Sequence, residues 1–160
     1  MSVLTDAAIL EALRKGDISI EPFDRSRLGG NSYDISLAMT LAVYIDEVLD
    51  VAKENAIRFF KIPKTGFVLK PDELYLGVTR ECVGSKRYLP ILEGRSGMGR
   101  LGLDVHANAG DGDVGFIGHW TLNLRVAKPV KIYAGIPVAQ IKFLEVQGEL
   151  INSYLNRIDN

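Results

Sequence analysis

The segment His119-Trp120-Thr121-Leu122-Asn123-Leu124-Arg125-Val126 alternates apolar and polar side chains. Successive side chains of a β-strand point to opposite faces, so this period of two predicts a strand with one buried face. The polar face carries Thr121, Asn123 and Arg125 in line with His119. It is either a wall that faces a ligand or a solvated sheet surface, and the pattern alone favours neither.

Similar short runs surround this strand, at residues 57–62, 67–69, 74–78, 130–133 and 138–146. Turn residues separate them at roughly 8–12-residue spacing, which favours a β-sandwich or a barrel-like jelly roll. One helix is predicted at the amino-terminal end, where Thr5 precedes an apolar stripe that stops before Gly16. The stretch 46–55 is ambiguous between a short helix and a charged surface excursion. The fold class is therefore mainly β with a short N-terminal helix.

Composition limits the classes of protein that fit. The chain has 160 residues and 17.6 kDa, with 47% hydrophobic and 24% charged residues, so we expect a single domain over residues 1–160. A net charge of −1 argues against a protein that coats nucleic acid. The longest nearly apolar run, residues 37–45, is too short to span a membrane. With no visible secretory signal, a cytoplasmic location is expected.

Metal-ligating residues are scarce. One cysteine, Cys82, excludes a site that needs two thiolates, and two histidines make a transition-metal site held by protein alone improbable. A metal in this protein is expected to be Mg²⁺, held mainly by the phosphates of a substrate.

Glycine is concentrated between residues 94 and 118, which hold eight of the sixteen glycines. The loop Glu93-Gly94-Arg95-Ser96-Gly97-Met98-Gly99-Arg100 combines two guanidinium groups, a hydroxyl and backbone without side chains. Close backbone N–H groups and planar arginine forks suit a polyphosphate. A second loop, residues 106–118, carries the carboxylates Asp111 and Asp113 and the aromatic Phe116.

Four motifs resemble the dCTP deaminase and dUTPase superfamily in order and spacing. They are Gly30-Asn31-Ser32-Tyr33-Asp34-Ile35-Ser36-Leu37, Arg95-Ser96-Gly97-x-x-Arg100-Leu101-Gly102-Leu103, Gly112-Asp113-x-Gly115-Phe116-x-Gly118 and Gly135-Ile136-Pro137-Val138-Ala139-Gln140-Ile141. The first motif and the helix before it are similar to the deaminase branch. The resemblance covers residues 1 to about 146. It implies a distorted jelly-roll β-barrel, assembled as a homotrimer with sites shared between subunits.

Three positions depart from the deaminase pattern. Asn123 stands where deaminases of this superfamily carry a glutamate that activates water, and an amide cannot act as a general base at neutral pH. Asn108 replaces a usual threonine, and Arg95-Ser96-Gly97 has the dUTPase form of its loop. We therefore expect a Mg²⁺-dependent diphosphatase that converts dUTP or dCTP to the monophosphate and pyrophosphate. A dCTP deaminase that forms dUTP or dUMP, and a nucleotide-binding regulatory protein without turnover, stay open as alternatives.

The resemblance also assigns roles to residues. Asp113 would activate the water that attacks the α-phosphorus, and Phe116 would pack beneath the deoxyribose. The residues expected to bind phosphates are Arg95, Ser96, Gly97 and Arg100, and Gln140 would contact the triphosphate or the base-side loop. The residues expected to contact the base are Asn108, Ala109, Gly110, Asp111 and Asn123. Asp34 would contact Mg²⁺ through water. For Asp34, a turn residue at a strand entry is an equal alternative.

The carboxyl-terminal residues 151–160 match neither the dUTPase arm nor the deaminase tail. They either improvise a lid for the site or form a surface segment, and the second interpretation is favoured.

Overall fold

The computed structural model describes residues 2–105, 110–151 and 154. Within them the chain forms two α-helices and twelve β-strands. The elements in chain order are α1 Asp6–Lys15, β1 Ile18–Glu21, β2 Tyr33–Tyr44, β3 Ile57–Lys61, β4 Phe67–Leu69, β5 Tyr75–Thr79, β6 Cys82–Ser85, β7 Leu89–Gly94, α2 Ser96–Arg100, β8 Leu103–Val105, β9 Ile117–Gly118, β10 Thr121–Val126, β11 Val130–Ile132 and β12 Pro137–Leu144.

Helix α1 begins and ends where the sequence predicts. The Thr5 hydroxyl accepts a hydrogen bond from the Ala8 N–H at 3.4 Å, as an N-cap does. Gly16 closes the helix with φ of 77°, in the left-handed region that glycine adopts without strain. The apolar stripe buries Ile9 and Ala12 against the strands.

The main sheet positions the site. Its strands run in the order β7-β12-β2-β5-β10-β8, and β3 pairs with β2 outside that path. Every pairing is antiparallel. The sheet curls until its two ends approach, and a β-carbon on Gly94 of β7 would lie 3.5 Å from Cβ of Val105 in β8. The prediction of a mainly-β, barrel-like fold is confirmed.

Two smaller sheets complete the molecule, with strand orders β1-β6-β9 and β11-β4. The alternation in β10 is also confirmed. Leu122, Leu124 and Val126 are buried, whereas Thr121, Asn123 and Arg125 are exposed. Apolar residues of β2, β5, β10 and β12 form the interior of the barrel.

The structure settles one segment that the sequence leaves ambiguous and shows a helix in another segment where none is predicted. Residues 46–55 form turns and bends on the surface, so the excursion is correct and the helix is not. Part of the glycine-rich loop after Gly94 is helical, since the Arg95 carbonyl accepts from the N–H groups of Met98 and Gly99 at 2.9 and 3.0 Å. Glycine has a low helix propensity. The segment is helical nevertheless because the strands before and after it, β7 and β8, fix its two ends.

Candidate functional site

Arg95 lies where β7 passes into α2. Its backbone N–H donates to the Val138 carbonyl at 3.1 Å, which fixes the start of the helix against β12. Its side chain turns toward β2, where Nε lies 3.0 Å from Oδ1 of Asp34. Both side chains keep part of their surface in solvent, 35% for Arg95 and 24% for Asp34. The guanidinium is thus oriented by a carboxylate and still accessible to an anion.

Gln140 completes this group. In β12 it lies directly opposite Asp34 of β2 on one side and Glu93 of β7 on the other. Directly paired residues present their side chains on the same face of a sheet. The structure therefore brings together three predicted residues, Asp34, Arg95 and Gln140, which we name the Arg95 cluster.

Helix α2 presents the remaining phosphate-binding candidates. Ser96 opens the helix and Arg100 ends it, and both are exposed. Residues four apart lie on the same side of a helix, so the hydroxyl and the second guanidinium face the same region. The space around Gly97 is open. A β-carbon on this residue would have no heavy atom within 4 Å, apart from its chain neighbours and the backbone of α2. Arg95 and Ser96 line a surface cavity of about 220 Å³ together with Asp104 of β8.

The acidic loop, residues 110–116, lies along the outer edge of β7. The Leu92 N–H donates to the Gly110 carbonyl at 2.7 Å, and the Gly112 N–H donates to the Pro90 carbonyl at 2.8 Å. Asp111 forms an antiparallel bridge with Ile91 of the same strand. Asp111 and Asp113 are both exposed. The loop is therefore attached to the strand that leads into α2, with its carboxylates toward solvent.

Phe116 ends the acidic loop between two aromatic rings. Its ring meets Trp120 edge to face at 5.6 Å and Tyr154 edge to face at 5.2 Å. The Tyr154 N–H donates to the Val114 carbonyl at 3.2 Å. At Tyr154 the carboxyl-terminal segment therefore packs on the acidic loop. The rest of residues 152–160 lies outside the described residues, so the choice between lid and surface segment stays open.

Asn123 belongs to a different part of the barrel. It lies on the exposed face of β10, and β5 separates β10 from the β2 strand that carries Asp34. On the same face, Arg125 pairs directly with Asp104 of β8, which places Asp104 diagonally next to Asn123. Along the sheet Asn123 is therefore set apart from the Arg95 cluster, although its neighbour Asp104 lines the same cavity as Arg95 and Ser96. Asn108 and Ala109 lie outside the described residues.

The described residues contain no group of three or more His, Cys, Asp and Glu side chains that could hold a metal ion. Asp34, the residue predicted near Mg²⁺, has its carboxylate 3.0 Å from the Arg95 guanidinium. Neither helix in the described part of the chain combines the length and apolarity that a transmembrane span requires.

Two features of the site were missed by reasoning from the sequence. The alternation from His119 to Val126 places Trp120 on the buried face of the strand, and its ring also touches the acidic loop. Asp104 was not considered, and only the register between β8 and β10 shows that it shares a face with Asn123. Its position in a Leu-Asp-Val alternation was the available signal.

A solved structure shares this fold. The crystal structure of 2'-deoxycytidine 5'-triphosphate deaminase from Agrobacterium tumefaciens aligns with a TM-score of 0.69 over 88% of this chain. The aligned part is 47% of that protein, and this chain therefore spans about half its length. The sequences are 17% identical, so this likeness shows the fold alone.

Closer relatives are named "dCTP deaminase, dUMP-forming". The protein from Clostridium beijerinckii is 44% identical over 83% of this chain and 77% of its own length. Those from Clostridium acetobutylicum and Leptospira biflexa are 45% and 46% identical, each over 92% of this chain and 84% of their own.

These names contradict the expected diphosphatase, because they describe a deamination of dCTP that forms dUMP. That expectation depended chiefly on Asn123, because an amide cannot transfer the proton that deamination requires. Asp104 presents a carboxylate on the same face as Asn123, and Asp111 and Asp113 are exposed on the acidic loop. The three departures lie within a sequence that is 44–46% identical to these relatives over most of its length.

The similarity extends over almost the whole described chain. A model of the dCTP deaminase-like family matches residues 3–146, from the bridge before α1 to just beyond β12. Both the Arg95 cluster and the acidic loop fall inside that match. The chain belongs to the dCTP deaminase-like family.

Proposed function

We propose that this protein is a dCTP deaminase of the dUMP-forming kind. In the net reaction, one water replaces the 4-amino group of cytosine, which leaves as ammonia. A second water attacks the α-phosphorus, and pyrophosphate leaves. The observation that carries the proposal is the 44–46% identity, over 83–92% of this chain, to relatives of that name.

The Arg95 cluster and α2 are the candidates for binding the triphosphate. Arg95 is oriented by Asp34 before any substrate arrives, and Arg100 adds a second fork. Arginine binds phosphate through two parallel hydrogen bonds, which gives orientation as well as attraction. Mg²⁺ on the triphosphate would neutralise part of its charge, and Asp34 would contact the ion through water.

The two hydrolytic steps need carboxylates near their respective reacting atoms. We assign water activation at the α-phosphorus to Asp113, on the acidic loop. Phe116 would pack beneath the deoxyribose, where a 2′-hydroxyl would clash. For deamination, Asn123 would hold the cytosine edge, since its amide both donates and accepts hydrogen bonds. Asp104 lies diagonally next to Asn123 on that face, and we assign the proton exchange to its carboxylate.

A homotrimer with shared sites is part of the proposal. Asn123 lies on β10 and the Arg95 cluster lies around β2 and β12, which are not neighbours of β10 in the sheet, and we expect a second subunit to bring the two into one site. The outer surface offers apolar side chains for such contacts, among them Met39 at 56% exposure and Phe59 at 66%. Sedimentation should give a mass near three times 17.6 kDa. A stable, active monomer would contradict this assignment.

The function is tested by chromatography of nucleotides after incubation with Mg²⁺. From dCTP the expected product is dUMP, whereas CTP should be turned over poorly. Accumulation of dCMP would show that the base is not deaminated, and accumulation of dUTP would show that the phosphoanhydride is not cleaved. Unchanged dCTP despite tight binding would indicate a regulatory protein.

A further inference from the structure

We propose that Trp120 is a positioning residue that sets the location of the acidic loop and thereby of the Asp111 and Asp113 carboxylates. The inference rests on the proposed function for the role of those carboxylates. Trp120 is the single tryptophan of the chain and is buried, with 7% of its surface exposed.

Three hydrogen bonds hold Trp120 in place. Its N–H donates to the Thr79 hydroxyl at 2.9 Å, and its carbonyl accepts from the Thr79 N–H at 2.9 Å. Its indole Nε1–H donates to the Val83 carbonyl at 3.0 Å. Thr79 is itself fixed, because its hydroxyl donates to the Glu81 carbonyl at 2.8 Å. The indole is therefore a rigid wall, anchored at both backbone and ring.

Gly112 packs against that wall. A β-carbon on residue 112 would collide with Cη2 of Trp120, and would lie 2.8 Å from Cζ2 and 3.0 Å from Cγ of Pro90. The backbone of Gly112 thus occupies a slot between the six-membered ring of the indole and β7. Its φ is not in the left-handed region, so glycine is needed here for space rather than for conformation. Asp111 and Asp113 flank this slot on either side.

Trp120 also supports the far end of the same loop. Its ring meets Phe116 edge to face at 5.6 Å and 82°. Trp120 therefore contacts the acidic loop at two points. One is Gly112, between the two carboxylates, and the other is Phe116, which is proposed to lie beneath the sugar. A small displacement of the indole would move both features relative to β7.

Simple core packing is the competing explanation, and paired variants separate the two. Gly112→Ala inserts a methyl group into the slot, and Trp120→Phe removes the indole atoms that the methyl group would meet. Positioning predicts that each single variant lowers kcat for dCTP, by up to about 10²-fold for a displacement near 1 Å, with KM changed much less. It further predicts that adding Gly112→Ala to Trp120→Phe causes little additional loss. Gly30→Ala, at a glycine with open space around it, is the matched control and should keep full activity.

Two outcomes would overturn the proposal. In the first, the kcat losses of the two single variants multiply in the double variant. In the second, the variants lower only the thermal midpoint of unfolding and kcat is unchanged. If Trp120→Phe does not fold, the fluorescence of Trp120 supplies the second measurement, since the chain has no other tryptophan. Gly112→Ala should shift the emission of the free protein and change its response to a dCTP analogue that cannot be cleaved. Emission identical to that of Gly30→Ala in both states would contradict the proposal.

This fluorescence measurement does not depend on the reaction. If the unmodified protein forms no dUMP but Gly112→Ala alters the emission, the proposed function fails and the contact between the indole and the loop stands. If dUMP forms and the paired variants behave independently, the function stands and the positioning role fails.

Discussion

The guanidinium of Arg95, at the start of α2, lies 3.0 Å from the carboxylate of Asp34 in β2. The ion pair joins two motifs that are separated by about sixty residues in the sequence. Partly exposed ion pairs contribute only about 0–1 kcal/mol to stability, so this contact matters more for orienting Arg95 than for holding the barrel together.

Asp34→Asn should therefore affect catalysis more than folding. The variant loses the anion that orients Arg95 and the proposed water-mediated contact with Mg²⁺. We expect the Mg²⁺ concentration for half-maximal activity to rise severalfold, measured by titration at saturating dCTP, with the thermal midpoint nearly unchanged. Asp46→Asn, an exposed carboxylate in the 46–55 excursion, is the control. An unaltered Mg²⁺ requirement in Asp34→Asn would remove Asp34 from the metal site.

Arg100→Ala should weaken the binding of the triphosphate. A hydrogen bond to a charged group contributes about 1.5–3 kcal/mol, so Kd for dCTP should rise about 10- to 150-fold. Calorimetry with the non-cleavable analogue measures this directly. Arg58→Ala, on an exposed position of β3, should leave Kd as it is. Equal effects of the two substitutions would mean that Arg100 contributes only general positive charge.

Asp113→Asn should stop pyrophosphate release while sparing affinity. Removing a general base commonly costs 10²–10⁴-fold in rate, whereas one lost hydrogen bond weakens binding by about 0.5–1.5 kcal/mol. Asp111→Asn, two residues away on the same loop, separates the specific role from the charge of the loop. Turnover of Asp113→Asn within a factor of two of the unmodified protein would move the assignment to Asp111.

Asp104→Asn should stop ammonia release, because the carboxylate next to Asn123 on the same face is the proposed proton-transfer group. Asn123→Ala should instead raise KM for dCTP, since it removes a contact with the base without removing the proton-transfer group. Asn31→Ala, an exposed asparagine before β2, is the control for Asn123. Ammonia release at the normal rate in Asp104→Asn would mean that another group transfers the proton.

The stability of the fold should fall at high pH through Tyr33. Burial raises the pKa of its phenol above the ordinary value of 10.0. Above pH 10 the unfolded chain releases this proton before the folded chain does, so the free energy of unfolding decreases as pH rises. Tyr33→Phe should reduce this decrease in denaturant titrations, and Tyr133→Phe, at an exposed tyrosine, should not. The same slope in both variants would assign the effect to other groups.

Much of the fold was accessible from the sequence because its signals are local. Thr5 and Gly16 mark the ends of α1 by capping chemistry, and the alternation in β10 predicts its buried face. The sequence pattern does not predict strands β6, β7, β8 and β9. Gly84 lies within β6, and its backbone lies against Phe116 where no side chain would fit. Such a position is specified by a contact with a distant residue, which no local pattern reveals.

Within the site, too, the residues of a contiguous motif were predictable, and the relations between distant residues were not. The motif that holds Arg95, Ser96 and Arg100 is contiguous, and the structure places all three around α2. The relation of Asp104 to Asn123 depends on strand register, and that of Trp120 to Gly112 depends on packing between elements. The reaction predicted from Asn123 is wrong by the names of the relatives, and the Asp104 carboxylate beside Asn123 is revealed only by strand register.

The most direct test of the central claim is the ratio of ammonia to pyrophosphate released from dCTP, followed over time with the unmodified protein and Mg²⁺. A dUMP-forming deaminase releases one ammonia for each pyrophosphate, so we predict a ratio of one at every time point. Pyrophosphate without ammonia, with dCMP as the nucleotide product, would contradict the account.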